Sequence, residues 1–264
     1  MTELERNLKM ISFVKKELGN KSARLLNLTI SGSDLYGFRS EDSDIDYRGV
    51  FITDTHKLLG LSVPRDVFEK EFEGNDIVLF ELQKEINLAL KGNCNVLEHI
   101  SAKQIYSTPE FLSMKPLVLN ALGKDGLYNS YKGMAQFNYK KFVASGHKNT
   151  VKKYLYVFRG LLAGIYVLET SEVEPNINTL NAYFKIPEIK ALIKLKVSGK
   201  ENDPLPDNLD RGQIEQVILN CFQKLDSVYQ KSKLQNIPSQ DQIEEINKWL
   251  INVRKKMWLG ENQN

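Results

Sequence analysis

The chain has 264 residues and a net charge of +3, with 42% hydrophobic and 26% charged residues. These proportions are ordinary for a globular protein, and the length suits one large domain or two small ones. The small net charge excludes binding of nucleic acid through the overall charge of the molecule. Any affinity of that kind must come from a local patch.

The cysteines and histidines lack the spacing of a zinc site. Cys94 and Cys221 lie far apart, and His56, His99 and His147 are scattered. We interpret His99 and His147 as structural or incidental, and we expect two free, buried thiols in a reducing compartment. The N-terminus lacks an apolar signal core, and no run of about 18 apolar residues occurs. The sequence therefore predicts a cytoplasmic protein.

The first part of the chain alternates helices and strands. Apolar spacing predicts a helix over 4–18 and strands over 24–30, 44–52 and 76–80. The last of these is a continuous apolar run, as in a buried sheet strand, and a helical period follows it over 81–91.

Beyond about residue 105 the pattern is helical. Helices are predicted over 110–122, 130–145, 149–169, 187–197, 211–233 and 239–258. The sequence therefore predicts an α+β fold, in which a small mixed-sheet domain over 1–108 is followed by an all-helical domain over 109–264. We expect the two to be in close contact.

A turn of small residues, Ser31-Gly32-Ser33, follows the first predicted strand. Glycine lets the backbone approach a ligand closely, free N–H groups at the start of a helical turn favour phosphate, and Ser33 adds a hydroxyl donor. Small residues after a strand are common, however. Judged alone, this motif is more often a plain tight turn.

Two carboxylates, Asp44 and Asp46, lie two positions apart on the second predicted strand. The period of two places both on one face, with Ile45 and Tyr47 pointing into the core. Adjacent carboxylates repel each other unless a cation is bound, and hard oxygen ligands select Mg²⁺ or Mn²⁺. Judged alone, such a pair is more often solvated at a strand edge.

The combination of the two motifs is far more specific than either one. Eleven positions separate Ser33 from Asp44, so a strand, a turn and a returning strand can bring phosphate donors and carboxylates to one end of a sheet. The pattern Gly32-Ser33-x-x-Tyr36-Gly37, followed by Ser-Asp-Ile-Asp-Tyr-Arg-Gly-Val over 43–50, resembles the DNA polymerase β-type nucleotidyltransferases. Within them it looks like the branch associated with RNA repair, whose genes can accompany RNA ligases. The resemblance covers roughly residues 24–100 well and the region 130–168 loosely.

The resemblance implies an active site and a reaction. Asp44 and Asp46 would hold Mg²⁺ (or Mn²⁺), and a third carboxylate on a neighbouring strand would complete a site for two ions. Asp76, which opens an apolar strand, is the first choice for that residue and Glu81 is the alternative. Gly32 and Ser33 would cradle the phosphates of an NTP. The enzyme would transfer a nucleotidyl group to an acceptor hydroxyl, with RNA as the expected acceptor and an RNA ligase as a possible functional associate.

Arg48 shares the strand face of the aspartates. It either orients a carboxylate or contacts phosphate, or it forms a structural salt bridge. The sequence leaves both interpretations open.

A basic, aromatic stretch over 126–168 contains seven Lys or Arg residues, six interleaved Tyr residues and no Asp or Glu. Basic groups bind phosphates and aromatic rings stack on bases. Within it Lys152, Tyr156 and Arg159 share a helix face. We predict that this face looks across a cleft at the aspartates and binds the triphosphate or the acceptor. The alternative is a solvated helix face with core tyrosines.

Other classes of protein remain open from the sequence. One is a module that binds nucleotide or nucleic acid and has lost turnover, although two intact aspartates argue against it. Another is a nucleotidyltransferase that acts on a protein or a small molecule. The third is a helical interaction protein in which the Asp-x-Asp pair is incidental.

Overall fold

The structure, a computed structural model, describes residues 2–145 and 149–259. Within these residues the first half of the chain forms a five-stranded mixed sheet with the order β3-β4-β2-β1-β5. The strands are β1 (Ala23–Ser31), β2 (Asp46–Thr53), β3 (Val67–Phe72), β4 (Asn75–Glu81) and β5 (Gln104–Ser107). Only β2 and β4 pair in parallel, and the other neighbouring strands are antiparallel.

Helices cover both faces of the sheet and form the rest of the fold. They are α1 (Glu3–Gly19), α2 (Gly32–Tyr36), α3 (Thr55–Leu58), α4 (Leu82–Leu90), α5 (Cys94–Ser101), α6 (Pro109–Leu119), α7 (Lys124–Asn138), α8 (Val151–Thr170), α9 (Ile177–Phe184), α10 (Pro187–Ser198), α11 (Arg211–Lys231) and α12 (Gln240–Trp258). A π-helical segment, Tyr139–Ala144, continues directly from α7.

Alternation along the strands decides which helix packs on which face. Ile45 and Tyr47 are buried in a cluster with Met10 and Val14 of α1. The residues that alternate with them along the strand, such as Val50, face the other side of the sheet. There they join a second cluster that includes α4, α5 and the C-terminal helices. This alternation is the one predicted from the sequence, and it places Asp46 on the face away from α1.

The helical part is organised around α8, which is buried on nearly every side. Two glycines permit the close approach of its neighbours. A Cβ at Gly164 would lie 2.8 Å from the Cβ of Tyr131 on α7, and one at Gly160 would lie 3.0 Å from the terminal methyl of Met134. A helix this apolar all round belongs in a core.

The predicted α+β fold, with a mixed sheet followed by helices, is confirmed. The sequence did not reveal β3, β5 or α9, and the predicted helix over 130–145 is wrong in its extent, because α7 ends at Asn138 and gives way to the π-helical segment. Cys94 and Cys221 are free and buried, as predicted. In the part of the chain that the structure describes, no helix combines the length and the apolar character needed to cross a bilayer.

Candidate active site

The two predicted motifs meet at one edge of the sheet. Ser31 at the end of β1 pairs with Asp46 at the start of β2, and Asp46 pairs with Asp76 on β4. Because pairing across a sheet places partners side by side, Ser31, Asp46 and Asp76 form a row across three adjacent strands. The turn with Gly32 and Ser33 continues from the end of that row.

Asp44 lies beside this row but not on the strand. The predicted strand 44–52 is wrong at its start, because β2 begins at Asp46 and Asp44 lies in the preceding loop. Asp44 nevertheless lines a polar cavity of about 310 Å³ together with both other aspartates, and it is exposed. Other walls of this polar cavity are formed by Ser33, Lys152, Tyr156 and Glu201.

Gly32 is fixed by its contact with Asp46. Its φ is +63°, in the left-handed region, and a Cβ there would lie 2.1 Å from Oδ2 of Asp46. The glycine lets the turn fold directly onto the carboxylate. The sequence predicts a close approach to a ligand at this position, whereas the structure shows a close approach to an aspartate.

Arg48 bridges two of the aspartates. Its Nη2 lies 3.3 Å from Oδ1 of Asp46 and 3.1 Å from Oδ2 of Asp76. Its Nη1 donates to the carbonyl of Tyr47 at 2.9 Å. Both interpretations made from the sequence involve such a contact, and the bridge shows that Asp46 and Asp76 can share one positive charge.

A second cavity, of about 380 Å³, lies on the other side of Asp46. Asp46 and Tyr156 line both cavities, so these two side chains separate them. Its remaining walls include Arg48, Val78, Phe80, Asn93, Asn95 and His99. This slot combines apolar walls with amide groups, a composition common in sites for small organic ligands.

His99 is therefore part of a cavity wall, whereas the sequence favours a structural or incidental role. Its Nε2 also hydrogen-bonds with the fully buried Glu85. Sequence reasoning could not find this arrangement, because a lone histidine carries no spacing signal. His147 lies outside the described residues.

Lys152 and Tyr156 occupy the position predicted for their helix face, on the wall opposite the aspartates. Burial lowers the pKa of Lys152 from its ordinary value, while the nearby carboxylates of Asp46, Asp44 and Asp42 oppose that shift. The ring of Tyr156 makes edge contacts with Tyr36 and Phe38, which fix it between the two cavities.

The prediction that Arg159 binds nucleotide needs correction. Arg159 is 1% exposed and forms a 2.6 Å ion pair with Glu98 of α5. Its guanidinium also lies 3.8 Å from the ring centroid of Tyr36. The residue shares a helix face with Lys152 and Tyr156, but it is one to two turns deeper, where the core closes over that face.

Sequence reasoning missed Glu201, which lies in the long loop after α10. Its carboxylate forms ion pairs with Lys152 and with the buried Lys196, and it accepts a hydrogen bond from Ser43 at 2.8 Å. Its backbone N–H donates to Asp42 at 3.1 Å. Glu201 thus adds its carboxylate to those of Asp42, Asp44, Asp46, Glu71 and Asp76, which also line the polar cavity. It joins the cavity to the loop before β2.

Glu81, the alternative third carboxylate, lies at the opposite end of β4. It is 5% exposed, caps α4 by accepting from the N–H of Gln83, and pairs with Arg254 at 2.6 Å. These contacts hold the Glu81 carboxylate far from Asp46. Asp76 is the carboxylate that the sheet places beside Asp46.

The carboxylates at this edge fit a divalent cation that also binds a substrate. Among residues 2–145 and 149–259, no three His, Cys, Asp or Glu side chains converge closely enough to enclose an ion. Mg²⁺ usually binds one or two carboxylates together with phosphate oxygens. Asp46 and Asp76 already share one cationic partner, and Asp44 faces the same cavity.

A mixed sheet that brings a Gly-Ser turn and an aspartate row to one edge, beside a helical unit, is the arrangement of polymerase β-type nucleotidyltransferases. A family model described as "RNA repair pathway DNA polymerase beta family" matches residues 5–252. The chain belongs to this family.

Relatives of the chain extend across bacteria and archaea. It is 27% identical to the uncharacterized protein YcgL of Bacillus subtilis, over 95% of this chain and 97% of that one. It is 31% identical to the uncharacterized protein MJ0002 of Methanocaldococcus jannaschii, over 81% and 88% respectively. A nucleotidyltransferase-like protein from Exiguobacterium sibiricum aligns over 95% of this chain and 80% of its own, at 11% identity. The TM-score of this alignment is 0.32.

Proposed function

We propose that the chain is a metal-dependent nucleotidyltransferase that moves a nucleotidyl group from an NTP to an acceptor hydroxyl and releases pyrophosphate. RNA is the proposed acceptor, with a role in RNA repair or end modification. The observation that carries the proposal is the row formed by Ser31, Asp46 and Asp76, with Ser33, Asp44 and Lys152 around the same cavity.

The charges around the cavity suit a triphosphate and a divalent cation. The Ser33 hydroxyl and the Lys152 ammonium supply donors for phosphate oxygens on one side. Asp44, Asp46 and Asp76 supply oxygen ligands for Mg²⁺ or Mn²⁺ on the other. When bound, the two ions would lower the pKa of the attacking hydroxyl and neutralise charge on the phosphates.

The protein itself would contribute positioning. Asp46 lies at the boundary between the polar cavity and the slot next to it, so reactants in the two cavities would meet at this carboxylate. Arg48 would hold Asp46 and Asp76 side by side and would yield that position to a bound ion. Holding two reactants in line accounts for a large part of such catalysis, and no side chain needs to act as a nucleophile.

A transfer assay tests the proposal directly. The protein is mixed with each α-labelled NTP, with Mg²⁺ or Mn²⁺, and with a pool of small RNAs that includes tRNA. We expect label on RNA with the wild type and at least about 1,000-fold less with Asp46→Asn or Asp76→Asn, since ion binding supplies several kcal/mol. Asp66→Asn is the matched control, because that exposed carboxylate pairs with Lys84 away from both cavities.

Each other outcome has a distinct meaning. Label on the protein itself would replace RNA with a protein acceptor. Metal-dependent NTP binding without any transfer would favour a module that has lost turnover. If NTP did not bind at all in the presence of Mg²⁺ or Mn²⁺, the nucleotidyltransferase proposal would be wrong. An RNA ligase as functional associate is a separate proposal, tested by supplying the labelled RNA product to a ligase.

A further inference from the structure

Outside the two cavities, basic and aromatic side chains form a continuous surface at the end of α7. Phe137 is 57% exposed, so its ring is open to a partner. Its ring meets that of Phe142 edge to face, with centroids 6.3 Å apart. Lys141 lies over both rings, 5.0 Å from the centroid of Phe137 and 5.2 Å from that of Phe142.

The π-helical segment explains why these two rings meet. Residues three or four apart share a face of an α-helix, but residues five apart do not. A π-helix, with hydrogen bonds between residues five apart, has a wider turn than an α-helix, so such residues come closer to sharing a face. Phe137 lies in the last turn of α7, directly before the segment, and Phe142 lies within it. Phe137 and Phe142 are five apart, and Tyr139–Ala144 is π-helical. Insertions of this kind are often found at functional sites.

The surface connects to the polar cavity through α8. The Nζ of Lys153 lies 4.0 Å from the ring centroid of Phe142 and 6.0 Å from that of Tyr156. Tyr156 lines the cavity with the aspartates, and Lys152 lies 5.8 Å from its centroid. An unbroken series of rings and ammonium groups therefore leads from the exposed Phe137 to the wall opposite Asp46.

Charge favours one class of partner for this surface. No Asp or Glu occurs between residues 126 and 168, so neither α7 from residue 126 onwards, the π-helical segment nor α8 up to Leu168 adds a carboxylate of its own. Lys140 and Lys141 are exposed beside the rings. Lysines that follow a phosphate backbone, alternating with rings on which bases stack, are the features that bind single-stranded nucleic acid.

We propose that Phe137, Lys141, Phe142 and Lys153 form a single-strand surface that binds RNA and guides its end into the cavity. Unpaired bases would stack on Phe137 and Phe142, and the lysines would contact the phosphates. Sequence preference is expected to be weak, because stacking accepts every base. That the bound strand is the acceptor rests on the proposed function, but its binding does not.

Fluorescence anisotropy tests this surface in the full-length chain. The probe is a labelled single-stranded RNA of about 10 nucleotides, within the range that such surfaces cover. We expect Phe137→Ala and Phe137→Leu to weaken binding about 10-fold, and Phe137→Trp to keep the wild-type affinity, because the tryptophan still stacks. Lys141→Glu should also make binding less sensitive to salt. The slope of log affinity against log salt should fall by about 0.7 for each phosphate that the protein no longer neutralises.

Two variants on another face serve as controls. Tyr183→Ala removes a ring that is 52% exposed on α9, and Lys190→Glu reverses an exposed charge on α10. Both should leave RNA binding unchanged. Metal-dependent NTP binding should be unchanged in every one of these single variants, since none of the substituted residues lines either cavity.

Several results would overturn the inference while leaving the proposed function intact. One is an RNA affinity that is the same in the wild type and in Phe137→Ala. Another is a loss of RNA affinity in the controls Tyr183→Ala and Lys190→Glu that is as large as the loss in Phe137→Ala. Duplex RNA that binds as tightly as the single strand would also contradict stacking. If polyglutamate displaced the RNA at similar charge concentration, the surface would be one for acidic protein segments instead. A failure of NTP transfer in the wild type, with RNA binding still dependent on Phe137, would instead count against the proposed function alone.

Discussion

At the scale of single residues, the contact between Gly32 and Asp46 links the backbone of the turn to the chemistry of the site. We predict that Gly32→Ala abolishes transfer, because its Cβ would push Oδ2 of Asp46 from its position. The left-handed φ of +63° adds a backbone cost of about 1–3 kcal/mol. The measurement is nucleotidyl transfer together with the melting temperature.

Gly74, which lines the same polar cavity, provides the matched control for this variant. Its φ is +76°, but nothing lies within 4 Å of the position of a Cβ. Gly74→Ala therefore carries the backbone cost without the clash and should lower stability by a similar amount while keeping most of the activity. If both variants lost activity equally, the crowding of Asp46 would not be the cause.

Arg48 leads to a prediction about metal binding. Because its guanidinium lies between Asp46 and Asp76, an ion bound by both carboxylates must displace it. Arg48→Gln removes that competing charge. We predict tighter binding of Mn²⁺ to the protein without nucleotide, by about 3- to 10-fold, since a partly exposed ion pair contributes about 0.2–1 kcal/mol and more when desolvated.

Calorimetry or the paramagnetic resonance of Mn²⁺ would measure this affinity independently of activity. Arg24→Gln is the control, because Arg24 makes a similar ion pair with Glu110, at 2.8 Å, and neither residue lines either cavity. Equal or weaker Mn²⁺ binding by Arg48→Gln would mean that Arg48 supports the ion site rather than competing for it.

At the scale of elements, α5 and α8 are joined by the buried pair of Glu98 and Arg159. Burial raises the pKa of the Glu98 carboxyl, and the adjacent Arg159 guanidinium opposes that shift. We predict that Glu98→Gln lowers the free energy of unfolding by about 3 kcal/mol, since it leaves a buried charge without its partner. Denaturant unfolding would measure the loss.

The double variant Glu98→Gln/Arg159→Met tests whether the pair itself is the cause. Removing both charges leaves neither one uncompensated, so the double variant should be less destabilised than the sum of the two single variants, by about 1–3 kcal/mol. Additive losses would show that packing around α8, rather than the ion pair, accounts for the effect.

This pair also shows which parts of the elements the sequence could predict. Periodicity and short-range spacing located β1, β2, β4 and most helices, because these signals are local. The position of Arg159 depends on Glu98, 61 positions away. A single helix face cannot reveal such a partner, so the spacing groups Arg159 with Lys152 and Tyr156, which line the cavity. Short strands such as β5, with four residues, carry too little alternation to be seen.

The same limit applies to the candidate site. The Gly-Ser turn and the aspartates could be predicted because their spacing lies within one strand-turn-strand unit. Glu201 could not, since it reaches the cavity from a loop about 155 positions beyond Asp46 and has no motif around it. Its contacts follow from how the helical part folds back onto the sheet.

At the scale of the whole molecule, the sheet and the helices share one hydrophobic cluster. It contains Leu26 and Ile52 from the sheet together with Phe111 of α6 and Leu155 of α8. Arg254 of α12 adds polar contacts, because it donates to the carbonyl of Thr53 at 2.9 Å and pairs with Glu81. The division into domains over 1–108 and 109–264 remains a prediction from the sequence, and these contacts determine how it can be tested.

We predict that the full chain unfolds in one cooperative transition and that a fragment of residues 1–108 does not fold alone. Without the helices, the fragment would expose the apolar sheet face of Leu26, Val50 and Ile52, and Glu81 would lose its partner Arg254. A chain of this length buries only about two-thirds of the surface that its unfolded form exposes, so losing the partner of a whole sheet face removes much of its stabilisation. Calorimetry of the full chain and far-ultraviolet circular dichroism of the fragment would measure both. Two separate heat transitions, or a sigmoidal melt of the fragment, would instead establish that 1–108 is an independent domain that contains the whole aspartate row.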